Sequence, residues 1–156
     1  MIALCAIAIF AVRDHAREDS ITIDETVHLF AGAEYVMLGT YFSNPEHPPL
    51  TKDLAALNLL RADPQPPLVR GFTVVPPKDP LLRFLWGNRI AHQSLVAMMR
   101  QPFRWLLALL IVVVYLTARV AWGTGAAVLA SALVALDPNL IAHAGIVHTD
   151  VAATTP

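Results

Sequence analysis

The feature that most constrains this chain is an uncharged apolar run from Trp105 to Ala118, with Arg104 and Arg119 at its two ends. A helix that crosses a bilayer needs about 20 mostly apolar residues, so the run and its flanks predict a transmembrane helix over residues 102–120. The composition agrees, because 56% of the 156 residues are apolar and only 15% are charged. A membrane protein is favoured over a soluble globule.

Two further apolar runs predict membrane helices, one at the start of the given sequence and one directly after the run described above. Residues 121–136 form an apolar run that stops at Asp137, and it predicts a transmembrane helix over 121–137, antiparallel to the preceding one. Residues 1–12 are wholly apolar but too few to cross a bilayer. We interpret residues 1–13 as a transmembrane helix truncated at its start, since a signal peptide would need a basic segment before it.

The densest group of polar residues lies in the segment 22–53. Thr22 and Glu25 have the spacing of a capping box, and Gly39 follows an apolar stretch. These signals predict a helix over residues 23–38.

The structure of residues 49–100 is predicted from their prolines and their mixture of apolar and charged side chains. Pro49 suits the first position of a second helix over residues 49–60. Residues 63–80 contain six prolines and predict a connecting loop. Residues 81–100 mix apolar and charged side chains and predict a helix at the membrane interface.

The predicted fold class is therefore all-α, an integral membrane helical protein with interfacial helices in a long first loop. The chain is interpreted as one partial membrane domain, with a truncated membrane helix (1–13), a loop with helices (14–101), two membrane helices (102–120 and 121–137) and a second stretch outside the membrane (138–156). The charges do not settle which compartment the loop and this stretch face.

Charge and cysteine content exclude several classes of function. The formal net charge is −1, so no basic surface for nucleic acid is predicted. Cys5 is the only cysteine, which excludes a disulfide or a cysteine metal cluster within the chain.

The predicted topology places several polar side chains in one compartment. Between the segment 22–53 and Asp150 the chain would cross the membrane twice, so Asp24, Glu25, His47 and Asp150 would face the same side. Asp24 next to Glu25 offers a carboxylate that can take a proton from a hydroxyl group. The alternative is that both acids only stabilise the first turn of a helix.

The histidines suggest a divalent metal as the only cofactor, although lone histidines near membranes are more often hydrogen-bonded structural groups. Glu25 and His28 have the spacing of carboxylate-bridged metal sites, of which one copy is not enough. We predict that a metal, if bound, is held by Glu46, His148 and Asp150. A metal-dependent membrane hydrolase would instead require Glu25 and His28 to meet a later histidine.

Basic side chains near the membrane are candidates to bind a phosphate group. Lys52, Arg89, Arg100 and Arg104 have this potential, and Arg in particular offers a planar fork of donors. The alternative is that they reach lipid headgroups.

Two separated motifs are prominent in the sequence. The first comprises Asp24-Glu25, His28, Gly32, Glu34-Tyr35, Gly39-Thr40-Tyr41, Asn44-Pro45-Glu46-His47-Pro48-Pro49-Leu50 and Lys52. The second comprises Leu136-Asp137-Pro138-Asn139-Leu140-Ile141-Ala142-His143 and His148-Thr149-Asp150. The first motif resembles the first extracytoplasmic loop of the family 39 glycosyltransferases, the protein O-mannosyltransferase-like family with the GT-C fold, and the second resembles that family's next extracytoplasmic stretch. Arg100 and Trp122-Gly123 also fit.

The resemblance implies an inverting enzyme that moves a mannose-like sugar from a polyprenyl- or dolichyl-phosphate donor to an acceptor hydroxyl of a protein, lipid or glycan. It implies that Asp24 is the general base, with Glu25 beside it as the second catalytic residue. The residues expected to contact donor or substrate are Glu46, His47, Lys52, Arg100 and Asp150.

We expect the protein to lie in the inner membrane of a bacterium, in contact with membrane lipid, with its active site on the extracytoplasmic side. Family members are several times longer, so the chain is interpreted as an N-terminal piece that lacks activity alone. The alternative function is a non-catalytic membrane scaffold or transporter fragment, in which the acids cap helices and face a water-filled cavity.

Overall fold

The structure is a computed structural model that describes residues 1–67 and 78–148. Every regular element within these ranges is a helix, which confirms the all-α prediction. In the described part of the chain the helices are α1 (Ile2–Glu18), α2 (Ile23–Leu38), α3 (Pro49–Ala56), α4 (Leu59–Ala62), α5 (Lys78–Trp86), α6 (His92–Trp122), α7 (Thr124–Ala135) and α8 (Pro138–Ala144).

The chain divides into two compact units. The first contains the described residues of Met1–Asp19 and Gln101–Ile146, and the second contains those of Ser20–Arg100 and Val147–Thr149. The residues of α6 up to Arg100 therefore belong to the second unit, and its later residues belong to the first.

The first unit has an apolar core to which α1, α6, α7 and α8 contribute. Its buried side chains are Ala8, Val12, Leu107, Leu110, Ile111, Ala135 and Ala144. The helix predicted over residues 1–13 is longer than expected, because α1 continues through the charged stretch to Glu18. At 17 residues, α1 is not among the described helices that are long enough to cross a membrane.

The transmembrane helix predicted over residues 102–120 lies inside α6. This helix has 31 residues, and at 1.5 Å per residue it is about 46 Å long. It is long and apolar enough to cross a membrane, whose hydrocarbon core is about 30 Å thick. The interfacial helix predicted over residues 81–100 is divided instead: α5 ends at Trp86, and α6 begins at His92.

The helix predicted over residues 121–137 is shorter than expected, and a second helix follows it at an angle. α7 ends at Ala135, and the Asp137 side chain accepts hydrogen bonds from the backbone N–H groups of Asn139 (2.8 Å) and Leu140 (3.2 Å) at the start of α8. Together α7 and α8 have the length and hydropathy of one span, bent by 57°. The bend arises because Asp137 caps a new helix and Pro138 cannot continue the old one.

The second unit is built around α2, which begins and ends where the sequence predicted. The Thr22 hydroxyl accepts the backbone N–H of Glu25, the Glu25 side chain accepts the backbone N–H of Thr22, and Gly39 closes the helix in the left-handed conformation. Pro49 begins the next helix as predicted, but the helix expected over 49–60 is broken into α3 and α4. Near the break, the side-chain amide of Asn58 donates to the carbonyl oxygen of Met98 at 2.9 Å.

Close contact between α2 and α3 depends on Gly32. A Cβ atom at this position would lie 2.3 Å from the backbone carbonyl oxygen of Lys52. Real Cβ atoms do not approach a backbone atom so closely, so only glycine lets the two helices pack at this distance.

We predict that Gly32→Ala destabilises the second unit, because α3 must move away from α2 to admit the methyl group. Overpacking of this kind costs about 1–3 kcal/mol of unfolding free energy. Gly125→Ala is the matched control, since a Cβ there meets nothing within 4 Å and alanine favours helix by about 0.5–1 kcal/mol. Denaturant unfolding in detergent micelles measures both, and equal stability of the two variants would contradict the packing role of Gly32.

Candidate functional site

Among its described residues, the second unit contains four buried charged side chains, three of them in the segment 22–53. They are Glu25, Glu34, Lys52 and Arg100. A buried charge is costly unless it is paired and hydrogen-bonded, so their partners show how the segment is held in place.

Glu25 and Arg100 form a buried bidentate ion pair. The guanidinium Nε of Arg100 donates to Oε1 of Glu25 at 2.7 Å, and Nη2 donates to Oε2 at 2.6 Å. The exposed fractions of the two side chains are 0% for Glu25 and 1% for Arg100. Arg100 also donates to the carbonyl oxygen of Ser20 at 3.3 Å, just before α2.

The Glu25 carboxylate accepts two further hydrogen bonds from backbone N–H groups. Oε2 accepts from Thr22 at 3.4 Å, and Oε1 accepts from Val147 at 2.9 Å. The carboxylate therefore joins the start of α2 to α6 and to the segment after α8. With both oxygens bound internally, Glu25 is placed to organise the site, and the prediction that it takes part in catalysis stays a prediction.

Asp24 has the opposite environment, although it is the adjacent residue. Its side chain is exposed, and it lies in the first turn of α2. His28 follows four residues later, on the same face of the helix. Of the two predicted catalytic acids, Asp24 is the one whose carboxylate is open to solvent.

The loop that carries Glu46 and His47 is held at its start by the buried carboxylate of Glu34. This carboxylate accepts the hydroxyl of Thr40 at 2.8 Å and the backbone N–H groups of Phe42 (2.8 Å) and Ser43 (2.9 Å). The sequence motif contained Glu34, but nothing in its spacing predicted this role.

The end of the same loop is held by the buried ammonium group of Lys52. Its Nζ donates to the carbonyl oxygens of Asn44 (2.5 Å) and His47 (2.9 Å), and to the hydroxyl of Tyr35 at 3.3 Å. The Tyr35 hydroxyl in turn donates to the carbonyl oxygen of Ser43. Lys52 was expected to contact a donor phosphate, but its three donors are directed at groups of the protein.

Burial changes the proton affinity of these two side chains in opposite directions. Burial lowers the pKa of Lys52 to about 8, against the neighbouring Asp53 and Glu34 carboxylates, which raise it. Burial, followed by the same two acids and Tyr41, raises the pKa of Tyr35 to about 12. At pH 7 the lysine therefore keeps its charge and the tyrosine its proton, as the loop contacts require.

Three histidine rings meet beside this loop. The centroid of the His28 ring lies 5.1 Å from that of His47 and 5.7 Å from that of His148, and both pairs meet edge to face. The three come from α2, from the loop before α3 and from the segment after α8. The hydrolase alternative required His28 to meet a later histidine, and His148 is in this position. No spacing rule predicted that all three rings would meet, because their contacts connect distant parts of the chain.

Of the remaining predicted site residues, the structure describes Glu46 and His148 but not Asp150. Glu46 is exposed on the loop. Asp150 lies outside the described residues, so its role and the predicted metal set of Glu46, His148 and Asp150 stay predictions. Within the described residues no three histidine, cysteine or acidic side chains are placed to hold one metal ion.

Comparison with known proteins finds no matching family model, no matching curated protein and no matching solved structure. The resemblance to family 39 glycosyltransferases therefore rests on the motifs alone.

We predict that the two neighbouring acids differ sharply in their contribution to stability. Glu25→Gln removes the charge that compensates buried Arg100, and breaking such a pair typically costs about 3–5 kcal/mol of unfolding free energy. Asp24→Asn removes only an exposed first-turn charge, worth about 0.3–1 kcal/mol. Urea unfolding of both variants in the same detergent at pH 7 compares them. A loss for Glu25→Gln no larger than that for Asp24→Asn would contradict the ion pair.

Proposed function

We propose that this chain is part of a membrane glycosyltransferase that moves a sugar from a polyprenyl-phosphate donor to an acceptor hydroxyl on the extracytoplasmic side. The two sequence motifs support the class of reaction. The length and hydropathy of α6 support a location at a membrane.

The observation that carries the proposal is the contrast between Asp24 and Glu25. The capping box and the ion pair with Arg100 fix the backbone at the start of α2. Asp24 stands on this fixed backbone, yet its carboxylate is exposed. A base that must meet a hydroxyl group in one geometry needs this combination of a rigid support and a free side chain.

The chemistry requires one base. The acceptor oxygen forms a bond to the anomeric carbon of the sugar while the bond from that carbon to the phosphate oxygen breaks, which inverts the configuration. Asp24 takes the proton of the acceptor hydroxyl, and the phosphate leaves with the electron pair of the broken bond. A phosphate leaves without being protonated, whereas a glycosidase needs a second carboxyl group as general acid.

Lys52 and Arg100 support this reaction through the backbone rather than by contact with the donor. Lys52 holds the loop that presents Glu46 and His47, and Arg100 holds Glu25 and the start of α2. Asp150 follows His148 by two residues, and we propose that it helps to orient the acceptor.

A non-catalytic membrane scaffold or transporter fragment is the second candidate. It is favoured by the four buried charged side chains, because each has partners within the protein and so has a structural role without any substrate. In that case the exposed carboxylate of Asp24 would have no effect on any sugar transfer.

We predict that Asp24→Asn reduces sugar transfer by about a hundred- to ten-thousand-fold, the usual contribution of a general base. Asparagine keeps the shape of the side chain but cannot accept the proton. The measurement uses membranes from cells that express the whole gene product. It gives the rate of transfer of radiolabelled sugar from polyprenyl phosphate, divided by the amount of folded protein. Asp14→Asn is the matched control, since Asp14 is also an exposed acid on a helix, in α1.

Transfer by Asp24→Asn equal to that of Asp14→Asn would remove Asp24 from the mechanism. Absence of transfer in all membranes, with every variant folded, would favour the scaffold.

A further inference from the structure

The outward side of α3 and α4 carries three exposed leucines. Leu50, Leu57 and Leu60 expose 66%, 50% and 62% of their surface. Their spacings of seven and three residues place them on one side of a helix. The periodicity continues from α3 into α4, because Leu57 and Asn58 between them keep right-handed helical backbone angles. We call these three side chains the leucine row.

The leucine row is not used for packing within the second unit. The opposite side of α3 and α4 packs on α2. The buried residues of this opposite side are Thr51, Lys52, Ala55, Ala56 and Leu59. A surface helix usually buries one apolar side and exposes polar groups on the other. These two helices therefore have a second apolar side, which the described residues of the unit leave uncovered.

The segment predicted to lie at the membrane interface, residues 81–100, offers less apolar surface than α3 and α4. Most of its described apolar side chains are buried inside the unit, among them Phe84, Leu85, Leu95, Val96 and Met99. Trp86 is exposed, and its ring stacks on that of His92. Within these two parts of the unit, the leucines of α3 and α4 are thus the larger group of exposed apolar side chains.

A hydrogen bond places the junction of α3 and α4 close to the part of α6 that can cross a membrane. The side-chain amide of Asn58 donates to the carbonyl oxygen of Met98 at 2.9 Å. Met98 comes four residues before residue 102, where the predicted span begins, which is about 6 Å along a helix. The headgroup layer on each side of a bilayer is about 5–8 Å thick. The junction therefore lies at the level of the lipid headgroups.

Arg61 adds a positive charge to this surface. Its side chain is exposed, and it follows Leu57 by four residues, on the same side of the chain. Asp53 also lies on this side, but it is half-buried, and burial raises the pKa of its carboxyl group. Helices that lie on membranes combine leucines, which enter the acyl boundary, with Lys or Arg, which meet headgroup phosphates. An apolar groove of a partner protein would exclude the guanidinium group.

We propose that the leucine row and Arg61 bind the membrane surface, with the leucines among the lipid chains next to the headgroups and the guanidinium group on lipid phosphates. The proposal rests on the membrane location of α6 in the proposed function, and it is independent of sugar transfer. Because α3 also carries Lys52, the same contact sets the distance between the lipid and the loop with His47.

The test measures the depth of nitroxide labels in vesicles of phosphatidylethanolamine and phosphatidylglycerol that contain the whole gene product. The labels are attached to Leu50→Cys, Leu57→Cys and Leu60→Cys, one at a time, in a Cys5→Ser background. Oxygen concentrates in lipid and a nickel chelate stays in water, so the saturation of the EPR signal in each reagent reports the depth of the label.

The matched controls are labels at Gln65→Cys and Gln93→Cys, which replace exposed polar residues outside the row. The ratio of oxygen to nickel collisions is expected to be at least about threefold higher for the row labels than for the controls, since interfacial leucines lie below the headgroups. Arg61→Gln should move the Leu57 label toward water.

Two results would overturn the proposal, with all variants folded by circular dichroism. Row labels with the same collision ratio as the controls would lie in water. Row labels that are shielded from both reagents would be covered by protein, such as a second copy of the chain, rather than by lipid. An unchanged depth of the Leu57 label in Arg61→Gln would contradict the role of the arginine.

A label at Leu109→Cys tells failure of this inference apart from failure of the proposed membrane location. Leu109 is exposed in the uncharged stretch of α6. Its label in lipid, together with row labels in water, would remove the surface contact and keep α6 in the membrane. Its label in water would contradict the membrane location itself.

Discussion

The arrangement of the candidate site depends on the buried ion pair between Glu25 and Arg100. A single carboxylate closes the capping box of α2, pairs with a residue of α6 and accepts the backbone N–H of Val147. Removing either charge leaves the other buried without compensation, which costs more than the pair itself contributes. The start of α2 and the segment before His148 are therefore positioned by one interaction.

Two further buried charges, those of Glu34 and Lys52, hold the adjacent loop at its two ends. Glu34 accepts N–H groups at the start of the loop, and Lys52 donates to carbonyl oxygens at its end. Gly32 is what allows α3 to bring Lys52 close enough to α2. The four buried charged side chains described in this unit hydrogen-bond to its backbone, and this backbone carries the exposed Asp24 and His47.

The parts of this fold that the sequence predicted well are those governed by local rules. The bounds of α2 follow from Thr22, Glu25 and Gly39, whose effects extend over a single turn. The partner of Arg100 lies 75 residues away, and no spacing rule relates positions so far apart. Lys52 and Arg100 were predicted as phosphate ligands from their residue type alone, and that role stays a prediction. Their burial and their partners within the protein are not visible in a sequence. The meeting of His28 with His148 also required the folded chain.

Hydrogen–deuterium exchange at the backbone amide of Val147 tests the central role of Glu25 most directly. We predict that this amide exchanges slowly in the unmodified protein and at least about tenfold faster in Glu25→Gln, because the variant loses the charged acceptor. The amide of Asn139, which donates to Asp137 in the other unit, should exchange at the same rate in both proteins. Equal exchange at Val147 with and without the Glu25 carboxylate would contradict this account of how the site is held together.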